Sequence, residues 1–212
     1  MLVLPNIYLL RNKVRGGNIY VIEEKKGLTL IDCGLEGSDE GILDFIESLG
    51  SSPEDLRMII LTHGHLDHVG ALPELIDITD AQVLIHEKDL TLLRKFTYLS
   101  EDLPNLVLLR GGEMIDVLNG LQVIHSPGHT DGSIILYKEN DLLFSGDVLV
   151  VDKYGNPRFP DPKYTKDQEK EKISVKKLSE LNFNALLPGH GPPIIEKAYI
   201  RVKEFVRRHL LT

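Results

Sequence analysis

The feature that most limits the fold of this chain is an internal repeat. Residues 19–32 and 134–147 both run strand, polar turn, strand, carboxylate, and end on Asp32 and Asp147, thirteen positions after Ile19 and Ile134. Each stretch is followed by a helical pattern, an apolar strand and a histidine flanked by glycine: Thr62-His63-Gly64 in one half, Gly189-His190-Gly191 in the other. A duplicated β-rich unit with helices packed outside gives two sheets face to face. It also brings the carboxyl ends of equivalent strands to one rim, where chemistry is expected.

The remaining pattern fits that frame. Alternating runs at 18–24 and 28–31 flank Glu24-Lys25-Lys26-Gly27 and predict a β-hairpin. Ser38 is placed to cap a helix carrying Ile42, Leu43, Phe45, Ile46 and Leu49 on one face, and Gly50 to stop it. The apolar run 58–62 has the length of a buried strand. A strand at 82–86 and a helix at 88–95 follow, while 97–112 shows only a weak pattern. The second half predicts strands at 114–117 and 121–125, a hairpin from 133–137 and 142–145, and a long loop over 152–165. It closes with a helix carrying Ile173, Val175, Leu178 and Leu181, a strand at 185–187 and a terminal helix from about 194 to 210.

Composition excludes several classes. With 42% hydrophobic and 26% charged residues the chain can bury a core and is not a disordered one. No apolar run approaches the roughly 18 residues that span a bilayer. Met1-Leu2-Val3-Leu4-Pro5 lacks a basic n-region and a cleavage site, so a soluble, cytoplasmic protein is expected. A formal net charge of −8 repels a phosphate backbone, and neither nucleic acid nor membrane is an expected partner. Cys33 is the single cysteine, which excludes an internal disulfide and a Cys-rich zinc cluster. Any metal must be held by histidine and aspartate.

Such a set exists. Along Thr62-His63-Gly64-His65-Leu66-Asp67-His68, four metal-ligand side chains fall within six positions, directly after a buried strand. Alternate residues of an extended segment point the same way, so His63 and His65 can reach one ion while Asp67 and His68 turn toward a second. Three more segments lie at apolar strand ends: Ser126-Pro127-Gly128-His129-Thr130, Ser145-Gly146-Asp147 and Pro188-Gly189-His190-Gly191. Imidazole and carboxylate suit zinc and ferrous or manganous ions, and so many donors leave room for two.

These motifs, in order and approximate spacing, resemble the metallo-β-lactamase-fold hydrolase superfamily over essentially the whole chain. The resemblance implies an α/β, four-layer αββα sandwich forming a single domain over 1–212, with a dinuclear metal site at one edge. By the superfamily's pattern His63, His65 and His129 hold one divalent ion, Asp67, His68 and His190 the other, and Asp147 bridges them with a hydroxide. Zinc is the first expectation, iron or manganese the alternatives. Asp32 matches a position that supports the site by orienting a ligand imidazole.

Within the superfamily the chain is similar to the glyoxalase II group. Lactam-hydrolysing members of one large branch carry cysteine where Asp147 stands, and flavodiiron members carry glutamate where His65 stands. Many glyoxalase II proteins continue further past the last histidine, whereas only 22 residues follow His190, which separates the hydrolytic site from recognition of glutathione itself. The reaction expected is attack of a metal-bridging hydroxide on a thioester or related ester of a small-molecule substrate, with Asp67 also accepting a proton. A lactonase, a mononuclear iron persulfide dioxygenase and a non-catalytic metal-binding scaffold are the rival readings. Tyr154, Arg158, Lys163 and Tyr164 in the long loop are candidates to bind an anionic or polar substrate. His86, His125 and His209 read as structural. Whether the chain forms a homo-oligomer does not follow from these residues.

Overall fold

A computed structural model describes residues 1–10, 14–97, 99, 103 and 105–211. The chain divides into two compact units, Met1–Leu109 and Arg110–Thr212.

The first unit is built on seven strands hydrogen-bonded in sequence order: β1 (Leu2–Leu4), β2 (Ile7–Leu10), β3 (Ile19–Glu24), β4 (Gly27–Ile31), β5 (Leu56–Ile60), β6 (Gln82–His86) and β7 (Leu106–Leu109). Strands β1 to β4 run antiparallel to their neighbours, and β4 to β7 run parallel. The expected hairpin is β3–β4, with Tyr20 opposite Ile31 and Glu24 opposite Gly27. Strands β1 and β2, of three and four residues, have no counterpart in the sequence pattern, because so short a run shows no period. The strand expected at 58–62 begins two residues earlier and ends at Ile60, which releases Thr62 and His63 from the sheet.

Among the described residues this unit has four α-helices: α1 (Asp39–Ser48), α2 (Leu66–Val69), α3 (Leu72–Ile78) and α4 (Leu90–Thr97), the last entered through a 3-10 turn at Glu87–Asp89. Ser38 stands before α1 but its hydroxyl makes no capping bond. It donates instead to the Arg15 carbonyl and accepts the Arg15 N–H, tying the helix start to the β2–β3 connection. Gly50, at φ +78°, closes α1 as expected, and the Ser51 N–H reaches back to the Ile46 carbonyl.

Ile19, Val21, Leu28, Leu30, Ile59, Val83 and Ile85 pack with Ile42 and Ile46 of α1, Leu72 and Leu75 of α3 and Leu93 of α4. Each such side chain contributes about 1.5–3 kcal/mol by leaving water. Their strand neighbours Tyr20, Ile22, Ile31, Ile60 and Leu84 are buried as well, so these strands have no wet face. That double burial is why Ile59-Ile60-Leu61 and Val83-Leu84-Ile85 read as continuous apolar runs and not as alternating ones.

The second unit carries a five-stranded sheet in the order β14-β11-β10-β9-β8. Its strands are β8 (Met114–Ile115), β9 (Leu121–His125), β10 (Ile134–Lys138), β11 (Leu142–Gly146) and β14 (Ala185–Pro188). A two-stranded ribbon of β12 (Val150–Val151) and β13 (Pro157–Arg158) stands apart, and the helices are α5 (Gln168–Leu178) and α6 (Ala198–Leu210). The repeat holds within each unit: hairpin β10–β11 leads to parallel strand β14 as hairpin β3–β4 leads to parallel strand β5. Strand β13 falls inside the expected loop over 152–165. Helix α6 starts at Ala198, later than expected, because Ile194 is held in a two-way backbone bridge to Leu186. In α5, Ile173 is exposed and Val175 and Leu178 are the residues that enter the core with Phe183, Val202 and Phe205. The weakly patterned stretch 97–112 contains β7, and part of it lies outside the described residues. No helix among the described residues is long and apolar enough to cross a membrane.

Candidate metal centre

In the first unit, chemistry collects at the carboxyl ends of parallel strands, as is usual for open sheets. Asp32 follows β4 with φ +59°, and its N–H bonds the Ile60 carbonyl at 2.9 Å. The buried carboxylate accepts the Thr62 N–H at 2.7 Å and the Thr62 hydroxyl at 2.8 Å, and lies 2.8 Å from His68 Nδ1. Because a carboxylate only accepts, His68 carries its proton on Nδ1 and keeps the lone pair on Nε2. The Thr62 hydroxyl, its proton committed to Asp32, faces His63 Nδ1 at 3.1 Å, which sets the same tautomer in His63. One carboxylate thus orients two imidazoles for ligation.

His65 stands just before α2 in extended conformation, and Asp67 and His68 lie within the helix. The His63 and His65 rings are 4.8 Å apart edge to face, the His63 and His68 rings 4.2 Å apart, and His68 Nε2 lies 3.8 Å from Asp67 Oδ2. Gly17 lies against the His68 ring: a Cβ there would stand 2.6 Å from His68 Cε1. Its N–H bonds the Asp67 carbonyl at 2.8 Å. Cys33 is buried, its thiol pushed well up by burial and by the charge of Asp32, which makes it unreactive.

In the second unit the donors come from three separate strand ends. The Pro127-Gly128-His129 turn follows β9 and is pinned by the start of α5. Lys166 and Asp167 donate their N–H groups to the His129 and Gly128 carbonyls at 3.0 and 2.9 Å, and the Ser174 hydroxyl donates to the Pro127 carbonyl at 2.7 Å. Asp147 follows β11 and is buried. His190 follows β14, and the Val151 N–H holds its carbonyl at 3.0 Å. Gly191 has φ +88°, and a Cβ there would fall 1.7 Å from the Val151 carbonyl oxygen, so no side chain fits.

One carboxylate oxygen, Asp147 Oδ2, stands 3.5 Å from His129 Nε2 and 3.4 Å from His190 Nε2. Both distances exceed a good hydrogen bond. They match the spacing of about 3.3 Å between two ligands of one tetrahedral zinc at 2.0–2.1 Å. The donor set therefore fits divalent metal.

Three supporting residues escape the sequence pattern. Thr165 Oγ1 lies 3.4 Å from His129 Nδ1. Asp89, buried, accepts the Gly64 N–H at 2.8 Å. Glu171 of α5 is buried, and burial pushes its carboxyl up to about 9, opposed by the His129 backbone amide and reinforced by the charge of Asp147. Each lies outside any histidine motif, and only the tertiary fold brings it to a ligand loop.

The loop candidates for substrate binding are exposed and bond locally. Tyr154 lies under Lys153, Lys163 over Tyr164, and Arg158 donates to the Phe159 carbonyl. Thr165, the residue after Tyr164, lies against His129. His86 accepts the Lys88 N–H, His125 bonds the Asp131 carbonyl, and His209 stacks on Phe205.

Seven side chains, His63, His65, Asp67, His68, His129, Asp147 and His190, thus offer donor atoms suited to divalent metal at the ends of β-strands in a mixed α/β protein. The chain belongs to the metallo-β-lactamase superfamily, whose family model matches residues 12–190. It is 35% identical to the uncharacterized protein YobT of Bacillus subtilis over 82% of each chain. It is 32% identical to the hydroxyacylglutathione hydrolase GloC of Haemophilus influenzae, covering 80% of this chain and 82% of that one. A probable metallo-hydrolase of Methanocaldococcus jannaschii, MJ0888, is 30% identical over 89% of this chain and 94% of its own. The fold is also that of a metallo-β-lactamase family protein from Thermus thermophilus, with a TM-score of 0.76 and 24% identity over 99% of this chain and 81% of that one. The protein is accordingly a metallo-hydrolase of this superfamily, and its fold implies divalent metal binding.

Proposed function

We propose that the chain, acting as one catalytic domain, hydrolyses thioesters or related esters of small molecules at a dinuclear centre. The observation that carries this reading is Asp147 Oδ2, flanked by two imidazole nitrogens at ligand-to-ligand spacing. By the family pattern, His63, His65 and His129 would hold one ion and Asp67, His68 and His190 a second, with Asp147 available to both. Divalent ions there supply hydroxide near neutral pH and polarise the substrate carbonyl.

The protein's own groups then have definite tasks. Asp32 keeps the His68 proton on Nδ1 and, through Thr62, that of His63 as well, so both present a lone pair. Asp67, partly exposed beside His68, is placed to accept a proton as the carbonyl carbon is attacked. The likeness to GloC supports a thioester over a lactam or phosphoester, and the imidazole-rich donor set suits zinc, with iron or manganese as the alternatives. The test is a panel of acyl thioesters and lactones assayed with and without oxygen. Thioester hydrolysis that proceeds equally in both is expected, and turnover that requires oxygen would overturn the reading.

A further inference from the structure

We propose that Asp89 is a positioning residue for the metal centre, holding the His63-Gly64-His65 segment in ligating geometry. The inference rests on the assignment of His63 and His65 as ligands and goes beyond it to a residue that no histidine motif contains.

Once β5 ends at Ile60, the segment that carries His63 and His65 has no strand partner to fix it. Two buried carboxylates replace the sheet. Asp32 holds its front through the Thr62 N–H and hydroxyl. Asp89 holds its middle: a carboxylate oxygen accepts at 2.8 Å the N–H of Gly64, the residue between the two histidines. A bond to that amide sets the direction of both neighbouring side chains, since Gly64 has no side chain to steer its own backbone.

Asp89 is itself firmly placed. It closes the 3-10 turn Glu87–Asp89, and that turn is fixed where His86 Nδ1 accepts the Lys88 N–H at 3.2 Å. The carboxylate stands directly before α4, where the helix dipole favours negative charge. The Asp89 side chain is almost wholly removed from water, and the Gly64 N–H is one of the groups that satisfy it there.

The experiment measures Zn2+ binding to metal-free protein by competition with a chromophoric chelator, together with urea unfolding of the same metal-free samples. Wild type is compared with Asp89→Asn, Asp89→Glu and Asp89→Ala. Asp89→Ala is expected to weaken one of two binding steps by about 10- to 100-fold, the usual range for a residue that orients ligands. Asp89→Asn, which keeps an acceptor oxygen in place, should recover most of that loss. Asp89→Glu, which keeps the charge but displaces the acceptor by a methylene, should not, and it decides the matter if the alanine variant does not fold. Zn2+ affinity equal to wild type in Asp89→Glu or Asp89→Ala, even with a lowered urea midpoint, would reduce Asp89 to a structural residue and overturn the proposal. Wild type that binds no Zn2+ would instead remove the ligand assignment, and this one with it, before any variant is compared.

Discussion

The two units hold their metal donors in opposite ways. The first places four within the six residues from His63 to His68 and braces that single segment with two buried carboxylates, Asp32 and Asp89. The second draws His129, Asp147 and His190 from the ends of three different strands, and their mutual placement depends on the sheet and on the start of α5. The first arrangement is local, and its precision comes from hydrogen bonds to backbone and imidazole. The second is assembled by tertiary structure, and its precision comes from the sheet and from hydrogen bonds between segments distant in the chain. Substitutions should therefore behave differently in the two.

The largest effect is expected at Asp147, on which the proposed bridge depends. Asp147→Asn should lower metal content and reduce turnover by at least the roughly 100-fold that marks the upper end for changes outside the ligand set. Elemental analysis and steady-state rates on one preparation check it, and unchanged values in both would remove the bridge. Next comes Asp32→Asn, which sets an amide against the His68 Nδ1–H and the Thr62 hydroxyl. Zn2+ affinity should fall about 10- to 100-fold with the protein still folded, as read by chelator competition and circular dichroism. Gly17→Ala should be milder, about tenfold in affinity, since its methyl displaces the His68 ring without removing a donor atom. A larger loss than in Asp32→Asn would mean that packing, not hydrogen bonding, holds the first unit's donors.

The smallest effect concerns Glu171 in metal-free protein. Its folded value of about 9 lies above the ordinary 4.5, so the folded state binds more protons than the unfolded state between those values. Stability from this group is fully present below about pH 4.5 and is lost as pH rises through about 9. Glu171→Gln should therefore gain on wild type as pH rises through that window, measured by urea midpoints across the range. A constant difference would show that the carboxyl ionises as it would in water.

The same contrast explains what could be read from the sequence. The run from Thr62 to His68 was legible because its donors are adjacent in the chain. His129, Asp147 and His190 were legible only through the repeat of hairpin, carboxylate and glycine-flanked histidine, and through family resemblance. Asp89, Thr165 and Glu171 were not legible, since each meets its ligand loop only after the strands and α5 are in place. Among the elements, hairpin β3–β4 and strand β6 stood out because each offers five or six strongly patterned residues, whereas β1, β2 and β13 are too short to show a period. Ser38 had the right residue type for a cap, but the nearby Arg15 backbone took its hydroxyl.

The central claim is that a carboxylate shared by two imidazoles marks a two-ion hydrolytic centre. Elemental analysis of protein purified without added metal or chelator, paired with the Asp147→Asn variant, tests it most directly. The account predicts close to two divalent ions per chain in the wild type and a clear drop in the variant. One iron per chain, or equal metal content in the two proteins, would contradict it.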